Sequence, residues 1–154
     1  ELYSGYLYLS MSAYASHAGM AGVANWFMVQ AREEASHAGK IYNYINRVGE
    51  RVVLSAIDQP KAEFESIKQL FEESLAHEKK VTGLINDLAN LAAEEKDHAT
   101  SIFLQWFVTE QIEEEENAQD ILTKLELAGD KGGALFMIDR ELGARTFSPP
   151  AESD

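Results

Sequence analysis

The sequence predicts an all-α fold, a four-helix bundle with a long crossover and a short fifth helix. Three observations predict it. Apolar residues recur at helical spacing through four long stretches, and no stretch keeps a period of two for long. The stretches break at glycines or at a charged turn, the usual punctuation of helices. The connections run short, long, short, as in two helical hairpins joined by a crossover.

The first helix is expected from about Glu1 to Ala18, breaking at Gly19-Met20-Ala21-Gly22. The second runs from about Val23 to Val48 and stops at Gly49. Residues 50–65 carry β-branched and polar residues with Pro60 and form the long connection; Val52-Val53-Leu54 is at most one extended segment, and a lone strand makes no sheet. The third helix runs from about Ser66 to Ala93, followed by the charged turn Glu94-Glu95-Lys96-Asp97. The fourth begins near Asp97 or His98 and ends near Ala128-Gly129. A fifth spans about Gly133 to Leu142, and the tail from 143 to 154, with Pro149-Pro150, is expected to be loose. The whole chain, 1–154, reads as a single domain, with the bundle over about 1–129.

The connection lengths set the topology. Short turns make antiparallel hairpins of the first and second helices and of the third and fourth. The long connection, about 16 residues, spans roughly 50 Å when extended, and a helix of about 26 residues is roughly 39 Å long. It is long enough to run the length of the bundle and leave the second and third helices parallel.

Composition narrows the function. The chain has 154 residues, 45% of them hydrophobic, which suits one globular domain with a sizeable core. A net charge of −13 opposes binding to nucleic acid or an anionic membrane and favours cations. No apolar run approaches a bilayer span. The absence of cysteine removes disulfides, thiolate metal sites and cysteine nucleophiles, and fits a reducing, cytoplasmic setting.

Positions seven apart stay on one helix face. Along the second helix one such line reads Phe27, Glu34, Ile41, Val48; along the third, Phe71, Glu78, Ile85, Ala92; along the fourth, Leu104, Gln111, Ala118, Leu125. Each line is apolar except for one acid or amide near mid-helix. With the expected topology these three groups lie at a common depth, to within roughly 3 Å at about 1.5 Å per residue. The first helix adds Glu1, Gly5, Tyr8, Ser12 and Ala15 along one stripe, with Glu1 its acid. Buried carboxylates are costly unless paired or metal-bound. The flanking Arg32, Lys79 and Lys80 are expected to point outward. His37, three residues after Glu34, shares its face. Carboxylates with one imidazole suit a hard or borderline cation, and four helices giving such groups is the plan of di-iron carboxylate proteins. Only one Glu-x-x-His occurs here, since Val81 follows Glu78 and Glu114 follows Gln111 at that spacing. Glu33, with Glu110, Glu113 and Glu114, offers a second, all-oxygen cluster on the flank; a solvated acidic face is the blander reading of the run Glu113–Glu116. Glu94, Glu95, Asp97 and His98 are candidates to line a route inward for cations, against the simpler reading of a solvated turn. His17 and His77 read as structural.

The segments Glu1-Leu2-Tyr3-Ser4 with Tyr8, Glu33-Glu34-Ala35-Ser36-His37, His77-Glu78, and Phe103-Leu104-Gln105-Trp106-Phe107-Val108-Thr109-Glu110-Gln111-Ile112-Glu113-Glu114-Glu115 resemble the prokaryotic non-haem ferritins, over essentially the whole chain. The resemblance implies the ferritin-like four-helix bundle. It implies that Glu1, Glu34 and His37 hold the first iron of a ferroxidase centre, that Glu34 bridges to a second iron also held by Glu78, and that Gln111 lies close by. It further implies a third iron site at Glu33, Glu110, Glu113 and Glu114, and an electron-donating tyrosine at Tyr8, with Trp106 a neighbouring aromatic. Fe2+ would be oxidised by O2 or H2O2 and stored as ferric mineral inside a homo-oligomeric shell, usually of 24 subunits. The position after the bridging glutamate is Ala35, where the haem-binding relatives carry Met, and the second Glu-x-x-His is absent, so no haem is expected. The family's first helix starts well before its metal glutamate, so residues preceding Glu1 are expected to be missing. The alternative reading is a non-storage di-iron oxidase or peroxidase bundle.

Overall fold

The computed structural model describes residues 1–129 and 132–149. It contains α1 (Leu2–His17), α2 (Ala21–Arg47), α3 (Ile67–Glu94), α4 (His98–Ala128) and α5 (Gly132–Leu142), with no strand among the described residues. The chain divides into two units, one built from α1, α2, the following connection and α5, the other from α3 and α4.

In the first unit α1 and α2 form a hairpin. The buried face of α1 presents Ser4, Gly5, Leu7, Tyr8, Met11, Ser12 and Ala15, a helical repeat that matches the expected stripe. Gly5 lies where the helices come closest: a Cβ there would meet the Ala31 carbonyl oxygen at 3.3 Å and Glu34 Cβ at 3.4 Å. Above it Tyr8 stacks on Phe27, with ring centroids 5.9 Å apart. Ser12 Oγ donates to the Ala24 carbonyl at 2.7 Å, which ties the hairpin near its turn. The connection after α2 has no regular structure over Arg51–Phe64. It is held to α1 by Ser10 Oγ donating to the Lys61 carbonyl at 2.7 Å and by Phe64 set edge-on to Tyr14 at 5.3 Å.

α2 supplies no N-terminal cap of its own. The Val23 amide instead donates to Asp139 Oδ1 of α5 at 2.9 Å, giving that end of α2 an acceptor and a negative charge. Gly22 permits the approach, since a Cβ there would fall 1.6 Å from the Asp139 carbonyl oxygen. The expected loose tail is therefore anchored at its start: Asn25 Nδ2 donates to the Arg145 carbonyl at 2.9 Å. Its last residues, 150–154, lie outside the described chain.

In the second unit local caps start both helices. Ser66 Oγ accepts from the Gln69 amide at 3.1 Å, and Asp97 Oδ1 accepts from the Thr100 amide at 3.0 Å. Hydrogen bonds from Thr100 outweigh the small effect of burial and hold the Asp97 carboxyl below its ordinary range. Asp97 thus has a capping role in the turn offered above as a cation route, and Glu94, Glu95 and His98 beside it are exposed. Contacts from Lys68 to Glu126 at 3.4 Å and from Thr82 to Glu115 at 2.6 Å run α3 and α4 antiparallel.

The stripes on α3 and α4 are buried at every predicted position. On α2 the stripe holds for Phe27 and Glu34, weakens at Ile41, which is half-buried, and fails at Val48, which is 51% exposed. The helix ends at Arg47, and Val48 is its C-cap.

The Gly22→Ala variant should lose the docking of α5. A cost of about 1–3 kcal/mol is expected for forcing backbone apart in a packed site, read as a lower Tm and faster hydrogen exchange at the Val23 amide. Gly39→Ala, with open space around its Cβ, serves as the control and should be neutral or stabilising; equal melting of the two variants would refute the close-approach argument.

Candidate metal centre

Glu34 and His37 sit one turn apart on α2, both almost fully buried. Glu1 stands at the N-cap position of α1, and its side chain, which makes no capping hydrogen bond, reaches the same place. The hairpin brings the three together because Gly5, one turn after Glu1, allows α1 to lie against α2 at Glu34. One ligand atom from each of Glu1, Glu34 and His37 falls within 4.8 Å of the others. His37 Nδ1 is 3.7 Å from Glu1 Oε2 and 3.9 Å from Glu34 Oε2, ion-pair range but too long for hydrogen bonds. Glu1 Oε2 is a buried atom with no hydrogen-bond partner. A buried carboxylate oxygen left this way is expensive, and three oxygen and nitrogen donors at this separation suit one cation.

Burial pushes the Glu1 carboxyl up, but its contacts with His37 and then Glu34 outweigh that and hold it at about 2. Glu1 is therefore charged at neutral pH and available to a metal ion.

Glu34 has further support on its own helix. Gln30, 1% exposed, places Nε2 3.5 Å from Glu34 Oε1. Tyr8 is fully buried two turns along α1 from Glu1, against Phe27.

In the second unit Glu78 and Gln111 face one another across the α3–α4 hairpin. Gln111 Nε2 donates to Glu78 Oε2 at 3.1 Å and to the Glu78 carbonyl at 3.2 Å, and lies 3.4 Å from Thr82 Oγ1. Both side chains are buried, Glu78 2% and Gln111 4% exposed. The amide fixes one oxygen of Glu78 and so orients the carboxylate, the usual task of a group behind a metal ligand.

The acids of the predicted third site differ in exposure. Glu114, three residues after Gln111 on the same face, is buried; Glu110 is half-buried; Glu113 is exposed. Helical geometry separates them, because position 113 lies about 100° round from 114. Glu33 is half-buried and its carboxylate pairs with Arg145. Arg32, Lys79 and Lys80 are exposed, as expected. Gln30, Thr82 and Arg145 were missed. Gln30 had a signal, lying four residues before Glu34 on one face. Arg145, 112 residues from Glu33, had none in the local pattern.

Several known proteins are similar to this chain over most of its length. A ferritin sequence profile, described as a ferritin-like domain, matches residues 1–128. A probable bacterial non-heme ferritin-like protein of Haemophilus influenzae is 44% identical over 143 residues, 93% of this chain and 87% of that protein. A bacterial non-heme ferritin of Staphylococcus aureus is 42% identical over 147 residues, 96% of this chain and 89% of that protein. Among solved structures, a humanized archaeal ferritin superposes with a TM-score of 0.95 at 45% identity, covering 96% of this chain and 90% of that one. The open-pore ferritin of Archaeoglobus fulgidus superposes with a TM-score of 0.93, also at 45% identity, over 94% and 90% of the two chains.

Because the Glu1 carboxyl is depressed from 4.5 to about 2, its contribution to the metal-free protein is fully present above pH 4.5 and is lost as pH falls towards 2. Glu1→Gln should lower neutral-pH melting and flatten acid unfolding in that window, its Tm converging on the parent's as pH falls towards 2. A parent-like acid profile in this variant would remove the assignment.

Proposed function

The chain belongs to the ferritin family and has its all-α fold, and from that premise we propose that it stores iron by oxidising Fe2+ at a carboxylate-rich centre and keeping the ferric product inside a homo-oligomeric shell. The observation that carries the reading is the trio of half-buried Glu1 with buried Glu34 and His37, with a Glu1 carboxylate oxygen that no hydrogen bond satisfies. No helix among the described residues is long and apolar enough to cross a membrane.

Fe2+ is the substrate, giving its electron to O2 or peroxide. Glu1, Glu34 and His37 are proposed as ligands of one iron, with Glu34 bridging to a second that Glu78 also holds. Oxygen and imidazole donors suit Fe2+, and a set dominated by carboxylates also suits Fe3+. Gln111 keeps Glu78 oriented and carries no charge, so it adds little hold on the product. The single histidine makes the site one through which iron passes, in contrast to a tight cage. Tyr8, buried near Glu1 in α1, is proposed as an electron donor. Glu33, Glu110, Glu113 and Glu114 are proposed as a further iron site, with Glu114 the best shielded and Glu113 the most exposed. No haem is proposed.

Self-assembly has support in the surface. Leu84, Leu88 and Leu91 form an exposed apolar line along α3, and Phe136 and Met137 are exposed on α5. Apolar stripes of this kind mark interfaces. A closed shell of 24 subunits is proposed, with the cytoplasm as its setting. The charge of −13 would concentrate Fe2+ around and within it.

Loading with Fe2+ in air, followed by particle mass and iron content, tests the reading. A large assembly holding far more iron than its binding sites supports storage. A small bundle saturating at its sites would instead support the di-iron oxidase alternative. In the same assay Glu34→Ala should lower the initial oxidation rate by ~10-fold or more, as loss of a bridging ligand requires, with the assembly intact; parent-like oxidation would refute the ligand assignment.

A further inference from the structure

The reading above gives Arg145 no task, yet its side chain ends beside the proposed iron ligands. It lies three residues past the end of α5, in a segment already fixed to α2 through the Asn25 side chain and the Arg145 carbonyl. The guanidinium lies 4.6 Å over the Trp26 ring, a cation–π contact that sets its plane. From there Nη1 donates to Gln30 Oε1 at 2.8 Å, and Nη2 pairs with the Glu33 carboxylate. We propose that Arg145 is a positioning residue for the iron site, locking the Gln30 amide and drawing Glu33 aside so that the Glu34 carboxylate is presented to the metal in one orientation. The proposal rests on the iron reading.

Donors and acceptors fix the orientation of the Gln30 amide. Arginine has donors only, whereas the amide of glutamine has one accepting end and one donating end. With Arg145 on one side, Gln30 Oε1 must face it. Nε2 is then left towards Glu34, where it lies 3.5 Å from Oε1. A flipped amide would set a carbonyl oxygen against that carboxylate and an NH2 against the guanidinium, both repulsive. Gln30, Glu33, Glu34 and His37 follow at i, i+3, i+4 and i+7, on one side of α2. One guanidinium at this edge thus separates two adjacent acids, holding the Glu33 carboxylate on its own side and apart from Glu34. Lysine offers a single point charge and no planar fork, so it does not engage Gln30 and Glu33 together.

The test uses the metal-free assembled protein titrated with Co2+, whose visible bands report its coordination. Arg145→Ala should keep the parent particle mass, bind Co2+ ~10-fold more weakly, in keeping with other groups that orient a metal ligand, and shift the bands. Iron oxidation should slow in parallel. Arg145→Lys should fail to restore either signal. Adding Arg145→Ala to Gln30→Ala should change little further, because both act through the same contact. Parent-like Co2+ affinity and bands in Arg145→Ala, with only a lower Tm, would overturn the proposal and leave Arg145 as an anchor of the tail. If that variant does not fold, parent-like Co2+ binding in both Arg145→Lys and Gln30→Ala overturns it equally. A parent protein that neither binds Co2+ nor oxidises Fe2+ sinks the iron reading, and this proposal with it.

Discussion

The structure depends on carboxylates placed where apolar side chains would otherwise stand. Glu34 and Glu78 are each 2% exposed on helix faces that also bury Phe27 and Ala31 on α2 and Phe71, Val81 and Ile85 on α3. An isolated buried charge costs several kcal/mol even after relaxation. Among the groups that offset that cost are two amides, Gln30 beside Glu34 and Gln111 beside Glu78. Amides orient a carboxylate and leave its charge in place.

Backbone packing serves the same end. The α1–α2 hairpin places the acid of one helix against the Glu-x-x-His of the other with Gly5 at the close contact, where a Cβ would sit tightly against Ala31 and Glu34. The aromatic pair Tyr8 and Phe27 then fills the space next to it. In the other hairpin, Thr82 and Glu115 extend the polar contact of Glu78 and Gln111 by one more hydrogen bond.

The C-terminal segment bears on α2 in three ways. Asp139 caps its start, Gly22 lets α5 approach its backbone, and Arg145 reaches two turns further along to Gln30 and Glu33. A short helix is marginal alone. Here it is retained by a cap, a close contact and an ion pair, and the helix it grips is the one bearing Glu34 and His37.

The sequence by itself determined the fold class, the number and approximate limits of the helices, and the polar positions at Glu34, His37, Glu78 and Gln111, because helical periodicity is local and a lone polar residue in an apolar line stands out. It also placed Arg32, Lys79 and Lys80 outside, for the same reason. Tertiary structure decided what periodicity does not encode. Val48 is exposed because its helix has ended, whatever its place in the stripe. The acids after Gln111 divide into buried and exposed according to which face each one meets. Glu33 is paired with an arginine 112 residues away, and α2 is capped from α5. Those pairings join positions distant in the chain, and only the packing of one element on another brings them within a hydrogen bond.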